Sequence, residues 1–377
     1  MAKKSATLEA QASKEEAKAA AFEEFMKDQG KRAPGEVLLL SDDSIGTHVP
    51  SVSTGAISLD VALGCGGFPY GRVIELFGPE MSGKTSLALS VASGVQKKGG
   101  IVGFVDAEHA LNRQHAIDMG VQPDRMVISQ PGSGEIAIQM VLDMVKSGAF
   151  DMIIVDSIAA MTPQSEIDGD IDSERPGVQA KMISRFMRLA VGPCMEHGVM
   201  LVLINQLRTS FNSYGNPDVT PGGRAIKFYA SVRVEIRSAN SKKIERNKVV
   251  VGQTCVATVR KNKVGPPHRV AEYDLVFGKG IEGSGSLLDV AEALGVVTRA
   301  GAHYTEVATS EKLGMGKENV KVRLEDDAEL TERLTTAVYA VLAGESSGEV
   351  SDDDADGEGI TADEFEDGAL GIASFEV

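Results

Sequence analysis

Gly78-Pro-Glu-Met-Ser-Gly-Lys-Thr85 is the stretch whose reading decides the fold. It satisfies G-x-x-x-x-G-K-[ST] and stands between the apolar run Val73-Ile-Glu-Leu-Phe77 and the helical pattern Thr85-Ser-Leu-Ala-Leu-Ser-Val-Ala92. Strand, glycine-rich turn and helix is the context in which this pattern holds phosphate. Gly78 and Gly83 let backbone N–H groups converge on phosphate oxygens, Pro79, Glu80, Met81 and Ser82 complete the cradle, and the helix N-terminus favours the negative charge. In this reading Lys84 reaches the β/γ-phosphates and the Thr85 hydroxyl holds Mg²⁺. The stretch therefore implies an α/β protein that binds ATP.

Working outward, the partner half of such a site belongs on a later buried strand. Met152-Ile-Ile-Val-Asp156-Ser157 is an apolar run ending in an acid, which places Asp156 at the magnesium ion through its water shell. A strand that ends in Asp is ordinary alone and informative beside the glycine-rich loop. Between the two lies Ile101-Val-Gly-Phe-Val-Asp106-Ala-Glu108-His109, another apolar strand that delivers acids to its C-terminal end. Ligands of open α/β sheets sit outside the carboxyl ends of the strands. Glu108 is thus placed to polarise a water for in-line attack on a γ-phosphate, while His109 has no assigned role.

Composition bounds the rest. With 377 residues, 42% hydrophobic and 24% charged, the chain has enough length for an α/β core and a smaller second domain. It contains no run of 18 apolar residues, so no transmembrane helix is expected, and Met1-Ala-Lys-Lys-Ser-Ala leads into Ala- and Glu-rich sequence with no apolar signal core. Cys65, Cys194 and Cys255 are scattered and odd in number, which fits inert thiols in the cytoplasm rather than a disulfide or zinc site. The formal charge of −16 is unevenly spread. Ser351 to Val377 carries ten acids and no Lys or Arg, and without it the charge is −6; Ser231 to Val270 carries ten Lys/Arg against two acids. A basic centre followed by an acidic tail suggests a DNA-binding surface with an internal polyanionic competitor, and equally a solvated tail that keeps the chain soluble.

The expected organisation has four parts. Residues 1–48 hold a disordered start to about residue 13, an amphipathic helix from Lys14 to Gly30 with Ala21, Phe22, Phe25 and Met26 on one side, and a linker. Residues 49–282 form the ATPase core, a mixed and mostly parallel sheet that turns antiparallel beyond Arg233-Val-Glu-Ile236. Residues 283–343 form a small α/β domain, and 344–377 a disordered acidic tail. A lone helix seldom stabilises itself, so packing of the N-terminal helix on a neighbouring subunit is its natural use. Two loops complete the pattern. Ile167 to Gly177 precedes a helix with Lys181, Arg185 and Arg188 at helical spacing. Arg208 to Gly223 is long and polar, as functional loops are.

Ser53-Thr-Gly-Ala-Ile-Ser-Leu-Asp60, the glycine-rich loop, Asp106-Ala-Glu-His-Ala-Leu111, Ser129-Gln-Pro131, Ile204-Asn-Gln206, Gly222-Gly223, Lys227-Phe-Tyr-Ala-Ser-Val-Arg233 and Lys261-Asn-Lys263 form an ordered series. From about Lys14 to Ala343 the chain resembles the RecA family of bacterial recombinases. The resemblance implies a RecA-like P-loop core and a DNA-dependent ATPase that forms helical filaments on single-stranded DNA, pairs it with double-stranded DNA and exchanges strands in recombinational repair and the SOS response. It implies ATP and Mg²⁺ as cofactors, and a single-strand-binding protein and loader proteins as further partners, with no membrane. It makes the two loops the DNA-binding loops, with Arg175, Lys181, Ser184, Arg188, Arg208, Tyr214, Gly222, Gly223 and Arg224 at the DNA, and Arg237, Lys242 and Lys243 at a secondary site. Gln206 becomes the sensor between ATP and DNA, Lys261 and Lys263 reach the neighbouring subunit's γ-phosphate, and Phe228 links protomers or is simply core.

Departures from the family pattern are those of a divergent or phage-encoded member. His115 and Phe277 stand where tyrosines flank adenine, Met81 replaces a serine, Tyr214 a phenylalanine and Pro221 a small hydroxyl residue. Cys255-Val-Ala-Thr258 is neutral where basic residues are usual, and Ser238 replaces an arginine, while Lys242-Lys-Ile-Glu-Arg-Asn-Lys248 is unusually basic. These leave room for a DNA-remodelling ATPase or helicase on the same core, or a regulatory filament with weakened strand exchange; a P-loop kinase lacks an identifiable acceptor pocket and lid.

Overall fold

Five apolar runs form the parallel half of one nine-stranded sheet: β1 (Val73–Gly78), β2 (Val102–Asp106), β3 (Met126–Ser129), β4 (Met152–Asp156) and β5 (Met200–Gln206). β1 and β2 are buried along their whole length, as parallel strands covered on both faces must be. β6 (Val232–Arg246) runs parallel to β1, and β7 (Val249–Asn262), β8 (Val270–Val276) and β9 (Gly280–Glu282) follow antiparallel. The order is β9-β8-β7-β6-β1-β5-β4-β2-β3. This is the mixed sheet that the sequence implies. The computed structural model describes residues 2–32, 37, 39, 41, 49–169, 177–209, 218–219, 221–246 and 249–342, with backbone alone for 2–13, 15, 208–209, 218–219, 240–242 and 246.

Two compact units result, Met1–His48 and Val49–Val377. The first consists of α1 (Ala2–Arg32), and here the sequence reading is corrected: the helix begins at Ala2, not near Lys14. The segment is rich in Ala, Lys and Glu, all strong helix formers, and nothing in residues 2–13 stops the helix. Phe22 and Phe25 are half exposed on it.

In the second unit, α2 (Ile57–Leu63) precedes the sheet and α3 (Lys84–Lys97) packs Leu87, Leu89, Val91 and Val95 on one sheet face, against Ile74, Leu76, Phe104 and Ile154. After α4 (Arg113–Asp118), α5 (Gly134–Lys146) covers the opposite face. So does α7 (Val178–Glu196), which follows the short α6 (Gln164–Ile167). The short α8 (Ala225–Tyr229) leads into β6. A third core joins Ile57 and Val61 of α2 to α9 (Ser284–Ala293), α10 (Lys317–Asp326) and α11 (Ala328–Leu342). These three helices flank an antiparallel sheet of β10 (Val297–Ala300), β11 (His303–Glu306) and β12 (Lys312–Met315). Tyr339 of α11 donates its hydroxyl to Asp60 Oδ2 at 2.5 Å, and Ser53 and Thr54 also donate to that carboxylate. Burial raises the Asp60 pKa, and these bonds oppose the shift.

Candidate active site and nucleic-acid interface

The glycines of the phosphate loop are required by packing as well as by phosphate. A Cβ on Gly78 would lie 2.0 Å from the Ile236 carbonyl oxygen of β6, and one on Gly83, at φ 92°, would press on Leu275 and Cys255 at 3.1 and 3.2 Å. Gly83 then opens α3, so that the free N–H groups of its first turn face the loop. Lys84 is buried and donates to the carbonyls of Gly78 at 3.1 Å and Pro79 at 2.5 Å. Burial lowers its pKa, against the attraction of Asp156, Glu108 and Glu80. Thr85 Oγ1 donates to Asp156 Oδ2 at 2.7 Å, which joins the two halves of the site foreseen in the sequence. Burial, with Glu108 and Asp106 nearby, pushes the Asp156 carboxyl up to about 6, although the Thr85 bond and Lys84 work the other way. Ser82 Oγ is buried without a partner, an orphan that a bound oxygen ligand would satisfy.

Next to this pair, the C-terminal ends of β2, β4 and β5 meet at Glu108. Its Oε1 accepts from Ser157 Oγ at 2.5 Å and from Gln206 Nε2 at 3.1 Å, yet the residue stays exposed. The backbone N–H groups of Ala107 and Glu108 donate to the Asp156 carbonyl at 2.8 and 3.3 Å, locking the two strand ends together. Asp106 is buried and accepts from Gln130 and from the N–H groups of Ala110 and Leu111, so it shapes the turn behind Glu108. His109 is exposed at φ 55°. Among the described residues no three His, Cys, Asp or Glu side chains form a metal cage. One hydroxyl and one carboxylate suit Mg²⁺, which keeps waters and takes phosphate oxygens as its remaining ligands.

A cleft of about 230 Å³ extends from Met81, Ser82, Gly83, Lys84 and Thr85 to His115 and Phe277. His115 Nε2 lies 3.1 Å from Ser86 Oγ, and Phe277 is 56% exposed, so one ring is tethered and the other open. Gln253, Leu275 and Val276 line the same cleft, and the sequence reading missed them. They come from β7 and β8, whose distance in sequence from the loop leaves no local signal. Ser157 was the easier omission, since it directly follows Asp156.

On the other side of the molecule, Lys181, Arg185 and Arg188 of α7 line a groove against α5, with Glu135 at its wall; Ser184 is half-buried on the same helix. Gly222 is buried, and a Cβ there would meet Ile158, Ile226 and Ile183, while one on Gly223 would lie 3.0 Å from Ala180. Positive φ at both, with close packing on Ile158, Ile226 and Ile183 at Gly222 and on Ala180 of α7 at Gly223, accounts for the glycines, and of Gly222, Gly223 and Arg224 the last two are open to solvent. Phe228 is 71% exposed, which overturns its reading as core. Lys261 donates to the carbonyls of Lys227 and Phe228 at 2.7 and 2.9 Å, and its pKa is lowered by burial and by Lys263 and Arg233. β7 ends at Asn262, so the exposed Lys263 lies just past the strand that carries Lys261. Arg237 and Arg260 both ion-pair with Glu235, and Lys243 is exposed farther along β6. Arg175 and Tyr214 lie outside the described residues, as do the side chains of Arg208 and Lys242.

A buried network was also missed. Glu75, fully buried in β1, pairs with Arg233 at 2.5 Å and accepts from Asn205 Nδ2 at 3.0 Å; Asn205 also donates to the Pro221 carbonyl at 3.1 Å. Arg233 stacks over the Phe77 ring at 4.5 Å. The residue before Gln206 is thereby tied to the end of the second loop.

The RecA N-terminal domain model matches residues 16–282, and the RecA C-terminal domain model matches residues 285–343. "Protein RecA" of Bacteroides thetaiotaomicron is 42% identical over 334 residues, 88% of this chain and 99% of that protein. Those of Chlorobaculum parvum and Campylobacter hominis are 43% and 41% identical over 86% and 85% of this chain, and 92% and 91% of their own. With both domain models matched in order and this identity sustained over most of its length, the chain belongs to the RecA family.

Proposed function

We propose that the chain is a DNA-dependent ATPase that assembles with ATP into helical filaments on single-stranded DNA and catalyses homologous pairing and strand exchange in DNA repair. The observation that carries this reading is the Gln206–Glu108 bond of 3.1 Å. It joins the strand that enters the second loop to a carboxylate beside the phosphate loop, so a change in the loop has a direct route to the site of hydrolysis.

In this reading Gly78 to Thr85 hold the triphosphate, with Lys84 exchanging its loop carbonyls for phosphate oxygens. Thr85 and Asp156 would hold Mg²⁺, which when bound neutralises charge on the phosphate oxygens. His115 and Phe277 flank the base. Glu108 orients the attacking water and takes its proton, with Ser157 and Gln206 fixing the carboxylate. Lys261 and Lys263 act on the neighbouring protomer's ATP, and Phe228 lies in that interface. Arg175, Lys181, Ser184, Arg188, Arg208, Tyr214, Gly222, Gly223 and Arg224 serve the primary DNA strand. Arg237, Lys242 and Lys243 serve the duplex. Localisation in the cytoplasm, and single-strand-binding and loader proteins as partners, belong to the same proposal; among the described residues no helix is long and apolar enough to cross a membrane.

The test is ATP turnover with and without single-stranded DNA, with imaging for filaments. Turnover independent of DNA and no filaments would reject the proposal. A regulatory filament with weakened strand exchange is a second reading, supported by one feature: Arg237 is engaged by Glu235 while Val256 and Thr258 beside it are neutral. Filaments that hydrolyse ATP but exchange no strands would favour it.

A further inference from the structure

Met81, Ser238 and Gln253 come from three separate parts of the chain and meet at the tip of the phosphate loop. Gln253 Nε2 donates to the Met81 carbonyl at 3.0 Å, and Ser238 Oγ donates to Gln253 Oε1 at 3.1 Å. Met81 needs such a restraint. Its φ of 57° lies in the left-handed region that L-residues with a Cβ avoid, and its side chain is 92% exposed, so no packing holds it there. The loop around it is otherwise seated on β7 and β8: Cys255 Sγ donates to the Ser82 carbonyl at 3.5 Å, and Gly83 sits against Leu275 and Cys255. Residues 81 and 82 are thus both held by side chains of β7, Met81 through the shorter bond, from an amide.

The amide of Gln253 has one workable orientation. The Met81 carbonyl can only accept, so Nε2 must face it, and Oε1 is left to accept from the Ser238 hydroxyl. Ser238 therefore holds Gln253 in the orientation that the Met81 carbonyl sets. Ser238 is also the last paired residue before the register shift between Ser238 and Lys243, where β6 departs into the basic segment.

We infer that Gln253 is a positioning residue for the nucleotide: held by Ser238, it fixes the strained Met81 peptide so that the phosphate loop is ordered before ATP enters. This rests on the nucleotide-binding reading given above. A loop ordered in advance gives tighter binding because less conformational entropy is lost when the ligand arrives. The chemical step is untouched, since Glu108 follows β2 and Asp156 ends β4, and neither takes part in this contact.

The experiment measures equilibrium binding of a fluorescent ADP analogue, and kcat and KM for ATP with single-stranded DNA, on the full-length chain. Gln253→Ala is expected to weaken analogue binding and raise KM about fivefold, the scale of one hydrogen bond, with kcat at saturating ATP held within about twofold. Ser238→Ala should shift both in the same direction by about twofold. The discriminating variant is Gln253→Ala combined with Met81→Gly. Glycine adopts a positive φ without strain, so most of the lost affinity should return, which a general loosening of β7 would not allow. A parent chain that binds no analogue would overturn the nucleotide reading and this inference together. A parent that binds while Gln253→Ala keeps its affinity, or a double variant no better than Gln253→Ala alone, would overturn this inference only.

Discussion

At Glu108 an exposed carboxylate is held by two donors, and at Asp156 a half-buried carboxylate lies between a hydroxyl and two other acids. The two sites predict different behaviour. Glu108→Gln keeps the shape and the Gln206 contact but cannot take a proton. It should lower kcat by roughly 10²- to 10⁴-fold while ATP binding survives and filaments persist, as read by steady-state turnover and filament lifetime. Lys84→Ala should instead abolish ATP binding, because the phosphates lose their positioned cation, with the melting temperature little changed. For Asp156 the sign of the pH effect follows from a folded pKa of about 6 above an ordinary 3.8. The folded state holds the proton more tightly, so this group's contribution to stability is present below about pH 4 and is lost as pH rises through 6. Without nucleotide or Mg²⁺, Asp156→Asn should therefore stabilise the protein at pH 7 by on the order of 2 kcal/mol, and by much less at pH 4. Denaturant titrations at the two pH values check this.

β7 carries more of the site than its sequence announces. One end delivers Gln253 and Cys255 to the phosphate loop, and the other delivers Lys261 to the carbonyls of α8. Because Lys261 is partly desolvated and crowded by Lys263 and Arg233, a phosphate group from a neighbouring protomer would be a better partner than two neutral carbonyls. Replacing Lys261 and Lys263 by Ala should lower DNA-stimulated turnover by roughly 10²-fold or more, with nucleotide binding to the protomer little affected. Mixed filaments decide whether the action is in trans. Protomers lacking the lysines should regain turnover at their own sites when Glu108→Gln protomers, which keep the lysines, lie beside them. Absence of rescue would place the lysines in cis or in a structural role. The groove between α5 and α7 belongs to the same scale: its three cations are exposed, so their removal should weaken single-strand binding and flatten its dependence on salt by about one unit of log–log slope per contact.

Across the whole molecule, the C-terminal helices are docked on α2 through a small apolar core and the Tyr339–Asp60–Ser53 contact. Tyr339→Phe keeps the ring but leaves Asp60 with the donors from Ser53 and Thr54, and should cost about 1 kcal/mol in denaturant unfolding. Beyond α11 the chain continues into the acidic segment, which lies outside the described residues. Its ten carboxylates between Ser351 and Val377 resemble a polyanion, and we expect them to compete with duplex DNA for Lys242, Lys243, Arg246 and Lys248. Truncation at Gly348 should strengthen duplex binding and reduce its Mg²⁺ requirement more than it alters single-strand binding. Neutralising those four residues should erase the gain. Equal improvement with the four residues neutralised would move the tail's target elsewhere.

Much of this protein is written locally. Gly78 to Thr85, the acid at the end of Met152–Asp156 and the unbroken apolar runs determine a parallel sheet with a phosphate loop at its carboxyl edge, because each is a pattern that neighbouring residues complete among themselves. The change to antiparallel pairing after β6 was legible too, since no helix separates the later strands. Helix propensity in residues 2–13 was equally local and was misread, as α1 runs on to Ala2. Only the tertiary structure decided what depends on distant segments meeting. It brought Ser157 and Gln206 to one oxygen of Glu108, Gln253 to the Met81 peptide, and Asn205 and Arg233 to the buried Glu75. It also gave Gly222 a packing role against Ile158, Ile226 and Ile183 and left Phe228 in solvent. The physical reason is range: propensity and motif act over a few residues, whereas burial, hydrogen-bond satisfaction and charge pairing are set by whichever chain lies alongside, and in β7 that partner stands more than a hundred residues away.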